Sequence, residues 1–250
     1  MPRFFVKNDQ VSGEGIRLTG SDAHHIARSL RMAVGEALTV CDMRGREYDC
    51  RIQSFEEDRE VFVTVFAVRE AENEPPCRIR LFQALPKGDK LDTIIQKAVE
   101  CGVTEIVPFE SERCVVRMKP EAEARKTERR QRISCEAAKQ CGRSVIPGVL
   151  PTVSFAEMLS LAAACDLCLF CYEGDGTRPL GEILREELPL AGREIGIVIG
   201  SEGGFSLGEA ERASSAGMRL TGLGKRILRT ETASGFVLSC LSLLTELSPE

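Results

Sequence analysis

The hydrophobic pattern changes at one segment of the chain, and this change constrains the fold more than any other feature. Residues 1–70 contain short runs in which apolar residues alternate, such as Val61, Val63, Val65 and Ala67, a pattern typical of strands. After residues 70–77, which hold two prolines and three glutamates, strand-like runs alternate with helical patterns. Such alternation favours a parallel sheet with helices on both faces. The sequence therefore predicts an α/β protein of two domains, residues 1–72 and residues 73–250.

The first part of the chain also contains one predicted helix. Ser21 or Asp22 can cap its start, and Ile26, Leu30 and Ala33 follow at helical spacing. A small β-barrel with one helix fits this part. In the second part, strands are predicted at Ile79–Leu85, Val103–Pro108, Asp166–Tyr172 and Glu194–Gly200. Helices are predicted at 121–141 and over Thr232–Leu247, and two more begin at the capping boxes Ser154/Glu157 and Ser206/Glu209.

The formal net charge of -5 argues at first against a nucleic-acid partner, but the charges are unevenly distributed. Residues 113–147 contain ten Lys or Arg against four Asp or Glu, whereas residues 148–224 contain five against eleven. A local basic patch is the electrostatic footprint of RNA binding, although a solvated helix face has the same composition. No apolar stretch approaches the ~20 residues of a membrane span, and the N-terminus lacks the apolar core of a signal peptide. We therefore expect a cytoplasmic protein without a membrane partner.

A glycine-rich turn follows the most apolar strand, in the stretch IGIVIGSEGGFS at 195–206. Glycines let a backbone approach a ligand closely, and the start of the next helix offers free N–H groups. Ligands of open α/β sheets lie at the carboxyl ends of strands, where this turn is placed. The spacings of dinucleotide and P-loop motifs are absent, which argues against a nicotinamide oxidoreductase. A tight β–α turn that needs glycine only for its shape is the alternative.

A second turn, LGKRILRTETA at 223–233, carries three cations where a helix begins. An ordinary helix start explains Thr230 as the capping residue. It does not explain Lys225, Arg226 and Arg229, because cations are unfavourable at that end of a helix. A negatively charged partner explains them.

The two turns together resemble the C-terminal signature of the SPOUT methyltransferases, the trefoil-knotted enzymes that use S-adenosylmethionine. Among these, the chain resembles the family that methylates N3 of a uridine in small-subunit (16S) ribosomal RNA. The chain departs from many relatives at Ser201, where they have proline, and at Lys139, near which they have acidic or polar residues. Further matches along nearly the whole chain are Pro2–Phe5, His24–Arg31, Lys87–Lys90, Lys97, Glu100–Ile106, Ser111–Arg113 and Glu136–Arg143.

The resemblance implies an N-terminal PUA-like, RNA-binding β-barrel followed in the sequence by a trefoil-knotted parallel sheet. It also implies a homodimer through the knot domain. The knot would bring the two turns together around S-adenosylmethionine, with Ile199 and Ile227 as apolar walls. The implied cofactor-binding residues are Ile199, Gly200, Glu202, Gly203, Leu223, Gly224, Ile227, Leu228 and Thr230. Candidate RNA contacts are Arg3, Arg28, Arg31, Arg113, Gln140 and Arg143. Surface solvation is the alternative for Arg3, Arg28 and Arg31, and a helix C-terminal cation is the alternative for Arg143.

Methylation of uracil N3 makes definite chemical demands. The nucleophile and the methyl group must be aligned and water excluded. N3 carries a proton and is hidden in a base pair, so the base must be unpaired or taken out of its stack, and the proton must leave. We expect Arg229 to stabilise the developing charge or to hold a phosphate. Glu231 is a second catalytic candidate, as the base.

Two further patterns suggest metal sites, and neither holds. His24 and His25 are adjacent and do not share a helix face. Cys165, Cys168 and Cys171 resemble an iron–sulfur spacing, but in a strand Cys168 should face away from the other two. We expect no metal ion and reduced cysteines.

Two other functions remain open. One is that of a SPOUT enzyme with another RNA target, such as a ribose 2′-OH or a transfer RNA. A non-catalytic RNA-binding factor of ribosome assembly is the other, although the retained cofactor turns argue against it.

Overall fold

The structure, a computed structural model, describes residues 1–6, 10–13, 15–56 and 60–247. The chain forms two compact units. The first comprises Met1–Glu74 together with Ala138–Ile146, and the second comprises Pro75–Ala137 together with Pro147–Glu250. Among the described residues, no helix is both long and apolar enough to cross a bilayer.

The first unit is built on a six-stranded sheet. Its strands are β1 Arg3–Phe5, β2 Val11–Ser12, β3 Gly15–Thr19, β4 Ala37–Cys41, β5 Arg46–Glu56 and β6 Glu60–Glu70. Their order is β1-β4-β5-β6-β3-β2, and every pair except β1–β4 is antiparallel. Alternate residues, among them Leu38, Ile52, Val61 and Val63, fill the core. The buried face of β6 ends before the predicted Ala67. The register between β5 and β6 shifts between Asp49 and Cys50, and Ala67, which pairs with Asp49, is exposed.

The predicted helix of the first unit is shorter than expected. Helix α1 spans Gly20–His24 and continues as a π-helical turn at His25–Ser29, and Arg31 then adopts a positive φ of 53°. The prediction that Ser21 or Asp22 caps this helix was wrong, because Thr19 lies at the cap position without a side-chain bond. The Asp22 carboxylate instead accepts a hydrogen bond from Lys139 at 3.0 Å. This ion pair attaches the segment Ala138–Ile146 to the unit.

The second unit contains an entirely parallel sheet. Its strands are β7 Arg78–Ala84, β8 Glu105–Glu110, β9 Gly148–Val149, β10 Val153–Ser154, β11 Leu167–Cys171, β12 Arg178–Pro179, β13 Glu194–Ile199 and β14 Arg219–Gly222. The order is β10-β8-β7-β13-β11-β14-β12, and β9 also pairs with β8. Every described pairing in this sheet is parallel, which confirms the prediction.

Helices cover both faces of this sheet. They are α2 Lys90–Glu100, α3 Pro120–Cys141, α4 Phe155–Ala162, α5 Leu180–Glu186, α6 Leu207–Ser215 and α7 Thr230–Ser242, followed by a π-helical turn at Leu243–Leu247. Neighbouring residues Gln83 and Ala84 of β7 point to opposite faces. Gln83 bonds to Thr230 of α7, whereas Phe109, which is in register with Ala84, packs on Phe155 of α4. The predicted helices on both faces are therefore confirmed.

Local sequence signals set two of these helix starts. Ser154 and Glu157 form a reciprocal capping box at α4, and Ser206 and Glu209 form another at α6, both as predicted. Helix α7 begins before the predicted Thr232.

The strand order determines where a site can form. Strand β13 lies between β7 and β11, and β14 lies beyond β11, so the carboxyl ends of these four strands meet at one edge. After β14 the chain returns past β11, because Thr230 contacts Gly200 at the end of β13. This return is the arrangement that the resemblance to trefoil-knotted enzymes implied, and the predicted fold class is confirmed.

Candidate active site

The two turns singled out by the sequence meet through direct hydrogen bonds. The Thr230 hydroxyl donates to the carbonyl oxygen of Gly200 at 2.6 Å and accepts from the amide nitrogen of Gln83 at 2.9 Å. Gln83 is fully buried and also lies 3.4 Å from the Gly200 carbonyl. Thr230 is therefore not the helix cap that an ordinary start would require. Arg229 lies at that position and makes no side-chain cap bond.

The meeting of the turns encloses one side of a cavity of about 790 Å³, within the size range of small-molecule sites. Every residue that the resemblance implied for cofactor binding lines this cavity: Ile199, Gly200, Glu202, Gly203, Leu223, Gly224, Ile227, Leu228 and Thr230. A third wall, which the sequence did not indicate, comes from Tyr172, Glu173, Gly174 and Thr177 after β11.

The glycines of the first turn let backbone segments approach each other more closely than side chains would allow. A Cβ atom on Gly200 would lie 3.2 Å from the Cα of Gly204, and one on Gly203 would lie 3.0 Å from the Cβ of Arg113. Ser201, in the same turn, has a buried hydroxyl with no hydrogen-bond partner among the described residues. A backbone-walled cavity with an unsatisfied buried hydroxyl suits a polar, nucleoside-sized ligand.

Arg113 is held at the rim of the cavity by the capping box of α6. The Ser206 hydroxyl donates to the Glu112 carboxylate at 2.7 Å, and the Glu112 backbone N–H donates to the Glu209 carboxylate at 2.8 Å. The Arg113 guanidinium then donates to the Gly203 carbonyl at 3.2 Å and remains exposed. The structure thus brings Arg113, a predicted RNA contact, to the glycine-rich turn at 195–206.

Lys90 connects two carboxylates beside the cavity, and the sequence analysis named it only within the Lys87–Lys90 match, not as a site residue. Its ammonium lies 2.8 Å from Glu202 and 3.7 Å from Glu231. Burial alone would raise the pKa of Glu202, but hydrogen bonds from Lys90 and from the Lys87 backbone hold it below its ordinary value. The hydrogen bond to Glu202 in turn raises the pKa of Lys90. Glu231 does not itself line the cavity, and one of its carboxylate oxygens is buried without a hydrogen bond among the described residues.

The second turn presents cations to the cavity. Lys225, Arg226 and Arg229 all line it and are exposed. Within the described part of the chain, none of the three pairs with a carboxylate. The Arg229 carbonyl accepts the backbone N–H of Thr232 at 2.8 Å, so its main chain begins α7 while its side chain stays available. The cavity mouth is therefore positively charged.

The candidate RNA contacts of the first unit fall into two groups. Arg28, Arg31 and Gln140 are exposed. Arg3 forms an ion pair with the buried Glu47, and Arg143, only 4% exposed, forms one with Glu74. These partners within the unit argue against the RNA contacts predicted for Arg3 and Arg143.

The structure also revises one argument about cysteines. All eleven are free thiols. The prediction that Cys168 faces away from Cys165 was wrong, because both sulfurs lie 3.1 Å from the position of a Cβ on Gly196. Cys165 precedes β11 and so does not follow its alternation. Over the described ranges, no group of three His, Cys, Asp or Glu residues is placed to hold a metal ion.

Two family models match different parts of the chain. A family model for an RNA methyltransferase domain matches residues 73–242, and one for an RNA methyltransferase PUA domain matches residues 18–66. The ribosomal RNA small subunit methyltransferase E of Bacillus subtilis is 36% identical over 99% of this chain and 98% of its own length.

Two solved structures with bound S-adenosylmethionine are also similar to the chain. The ribosomal RNA small subunit methyltransferase E of Neisseria gonorrhoeae matches with a TM-score of 0.84 and 31% identity over 98% of both chains. A protein of Legionella pneumophila matches with a TM-score of 0.83 and 31% identity over 96% of both chains. Since these matches span whole chains, the protein belongs to the ribosomal RNA small subunit methyltransferase E family of RNA methyltransferases.

Proposed function

We propose that this protein transfers a methyl group from S-adenosylmethionine to N3 of a uridine in small-subunit (16S) ribosomal RNA. The observation that carries the proposal is the hydrogen bond between Thr230 and Gly200, which closes a backbone-walled cavity from two distant turns. The names of the relatives support the RNA substrate, and the two solved neighbours support the cofactor.

The residues of the cavity fit the proposed cofactor. Backbone groups of Gly200, Gly203, Leu223 and Leu228 would hold the adenosine, with the buried Ile199 as an apolar wall. When bound, S-adenosylmethionine supplies a methyl group on a positively charged sulfur. The protein contributes alignment with the uracil nitrogen and exclusion of water.

The N3 proton and the resulting charge require groups of the protein itself. The Arg229 guanidinium, at the cavity mouth, would stabilise the negative charge that develops on the uracil as N3 loses its proton. Glu231 is the candidate base, and the Lys90 ammonium lies 3.7 Å from its carboxylate. Both side chains come from the start of α7, so one helix would position both groups.

The N-terminal domain, residues 1–72, would bind the RNA, and residues 73–250 would catalyse the transfer. Arg28, Arg31 and Gln140 are exposed and would contact the RNA, where phosphate contacts fix its register. Arg113 would do so at the cavity. Such a substrate places the protein in the cytoplasm, where ribosomes are assembled.

We also propose a homodimer through the knot domain. Helix α7 and the turn after it expose Phe236, Leu243 and Leu247 at helical spacing. An exposed apolar stripe of this kind indicates a protein interface.

Mass spectrometry of ribosomal RNA from cells that lack the protein tests the proposal. We expect one uridine of the small-subunit RNA to lose a methyl group at N3, and the purified protein with S-adenosylmethionine to restore it. A methyl group missing from a ribose or from transfer RNA would assign another target. Titration calorimetry that detects no S-adenosylmethionine binding would point instead to a non-catalytic assembly factor.

A further inference from the structure

Ile227 lies in the second turn of the site, at 223–233, but faces solvent. Its side chain is 81% exposed, the highest value among the large apolar side chains of the described residues. The other implied apolar wall, Ile199, is buried. Both residues line the same cavity, so Ile227 projects from its mouth instead of closing its interior. An isoleucine in this position loses favourable burial unless another molecule covers it.

The residues around Ile227 indicate what covers it. Lys225 and Arg226 precede it and Arg229 follows, and within the described ranges all three lack a carboxylate partner. The other cations that line the cavity, Lys90 and Arg113, already bond inside the protein. The core of a protein interface is depleted of charged residues. An apolar side chain among available cations instead matches nucleic acid, which offers base faces between phosphates.

We infer that Ile227 packs against a nucleobase next to the target uridine, and that Lys225 and Arg226 contact the phosphates on either side. This inference rests on the proposed function, because a uracil whose N3 is to react must leave its stack. Its departure exposes the face of a neighbouring base. Ile227, at the cavity mouth, covers that face while the uridine enters the cavity.

The test compares Ile227→Ala, Ile227→Leu and the control Val115→Ala. Val115 is 69% exposed, β-branched like isoleucine, and outside the cavity lining. The probes are 16S ribosomal RNA from cells that lack the protein, and S-adenosylmethionine with a tritiated methyl group. Since burial of an isoleucine side chain is worth about tenfold in affinity, we expect Ile227→Ala to lower RNA affinity and kcat/KM for RNA about tenfold. The leucine variant keeps most of the apolar area and should lose less than the alanine variant. The Val115 control should stay within about twofold of the wild type.

Binding of the same RNA, followed by fluorescence anisotropy, tests the inference even if the wild-type protein transfers no methyl group. In that assay the double variant Lys225→Ala/Arg226→Ala should reduce the slope of log affinity against log salt by about 0.7 for each cation removed.

Three results would overturn the inference. The first is an Ile227→Ala variant that binds RNA as tightly as the wild type. The second is a loss of S-adenosylmethionine binding as large as the loss of RNA binding, which would make Ile227 a cofactor wall. The third is a change of the molecular mass in solution, which would place Ile227 in a subunit interface.

Discussion

At the residue scale, the catalytic proposal depends most on Arg229. Its main chain begins α7 while its guanidinium remains at the cavity mouth, so the side chain can be removed without loss of an internal bond that the structure describes. We expect Arg229→Ala to lower kcat about 100-fold, the usual cost of losing a group that stabilises developing charge. Thermal unfolding should be unchanged. Arg185→Ala removes an equal charge from an exposed position of α5 and should retain wild-type turnover. Wild-type turnover in Arg229→Ala would refute the role of Arg229.

A different arginine stabilises the first unit. Arg3 and the Ser144 hydroxyl both donate to the Glu47 carboxylate, which is 1% exposed, and Arg69 lies 2.6 Å from it. Removing the charge of Glu47 leaves the Arg3 side chain, which is 13% exposed, without this buried ion-pair partner. We therefore expect Glu47→Gln to lower the free energy of unfolding by about 3 kcal/mol, measured by urea denaturation. A change within about 0.5 kcal/mol would show that the cluster contributes little.

The same carboxylate gives a pH dependence with a definite sign. Burial alone would raise the pKa of Glu47, but hydrogen bonds from Arg3 and Ser144 outweigh burial and hold it below 4.5. A group whose pKa is lowered by folding stabilises the native state above its unfolded-state pKa and loses that effect as the pH falls. The difference in unfolding free energy between the wild type and Glu47→Gln should therefore be constant near neutral pH and shrink below about pH 4.5.

At the element scale, the turn after β13 functions through its backbone. A side chain on Gly203 would collide with Arg113, since even its Cβ would lie 3.0 Å from the Cβ of Arg113 and 3.2 Å from its carbonyl oxygen. We expect Gly203→Val to displace the turn and weaken S-adenosylmethionine binding at least about tenfold, as measured by calorimetry. Gly208→Ala is the matched control, because nothing lies within 4 Å of its Cβ position. Equal affinity in Gly203→Val would reduce the turn to a structural element.

The sequence predicts elements well where the signal is local. The capping boxes at Ser154 and Ser206 set helix starts from residues three apart, and both are present. The contact between Thr230 and Gly200 is different, because it requires a knotted chain path that is nearly absent from other folds. Only the resemblance to a known family supplied it. The wall at Tyr172–Thr177 was missed because its residues carry neither a periodic pattern nor a charge cluster.

Charge type alone did not show which arginines face outward. Arg3 and Arg143 have the residue type of an RNA contact, but their partners Glu47 and Glu74 lie far away in the sequence. Pairing over such distances is decided by the fold. Arg28 and Arg31 had the same sequence signal and are exposed.

At the scale of the whole molecule, the exposed stripe on α7 predicts the oligomeric state. Leu243 is 54% exposed and lies near the middle of the stripe formed by Phe236, Leu243 and Leu247. We expect the wild type to have the mass of a dimer by light scattering, and Leu243→Asp to dissociate it, because a buried unpaired charge is unfavourable. Val115→Asp adds the same charge to an exposed apolar site outside α7 and should remain dimeric. A monomeric wild type would contradict the prediction.

The first unit is discontinuous, since Ala138–Ile146 joins it from the far end of α3. Lys139 and Ser144 of this returning segment bond to Asp22 and Glu47, which were synthesised much earlier. As the chain leaves the ribosome, Asp22 and Glu47 therefore lack these two partners until Lys139 and Ser144 have emerged. The N-terminal unit can therefore be completed only after the first part of the second unit, Pro75–Ala137, has been translated.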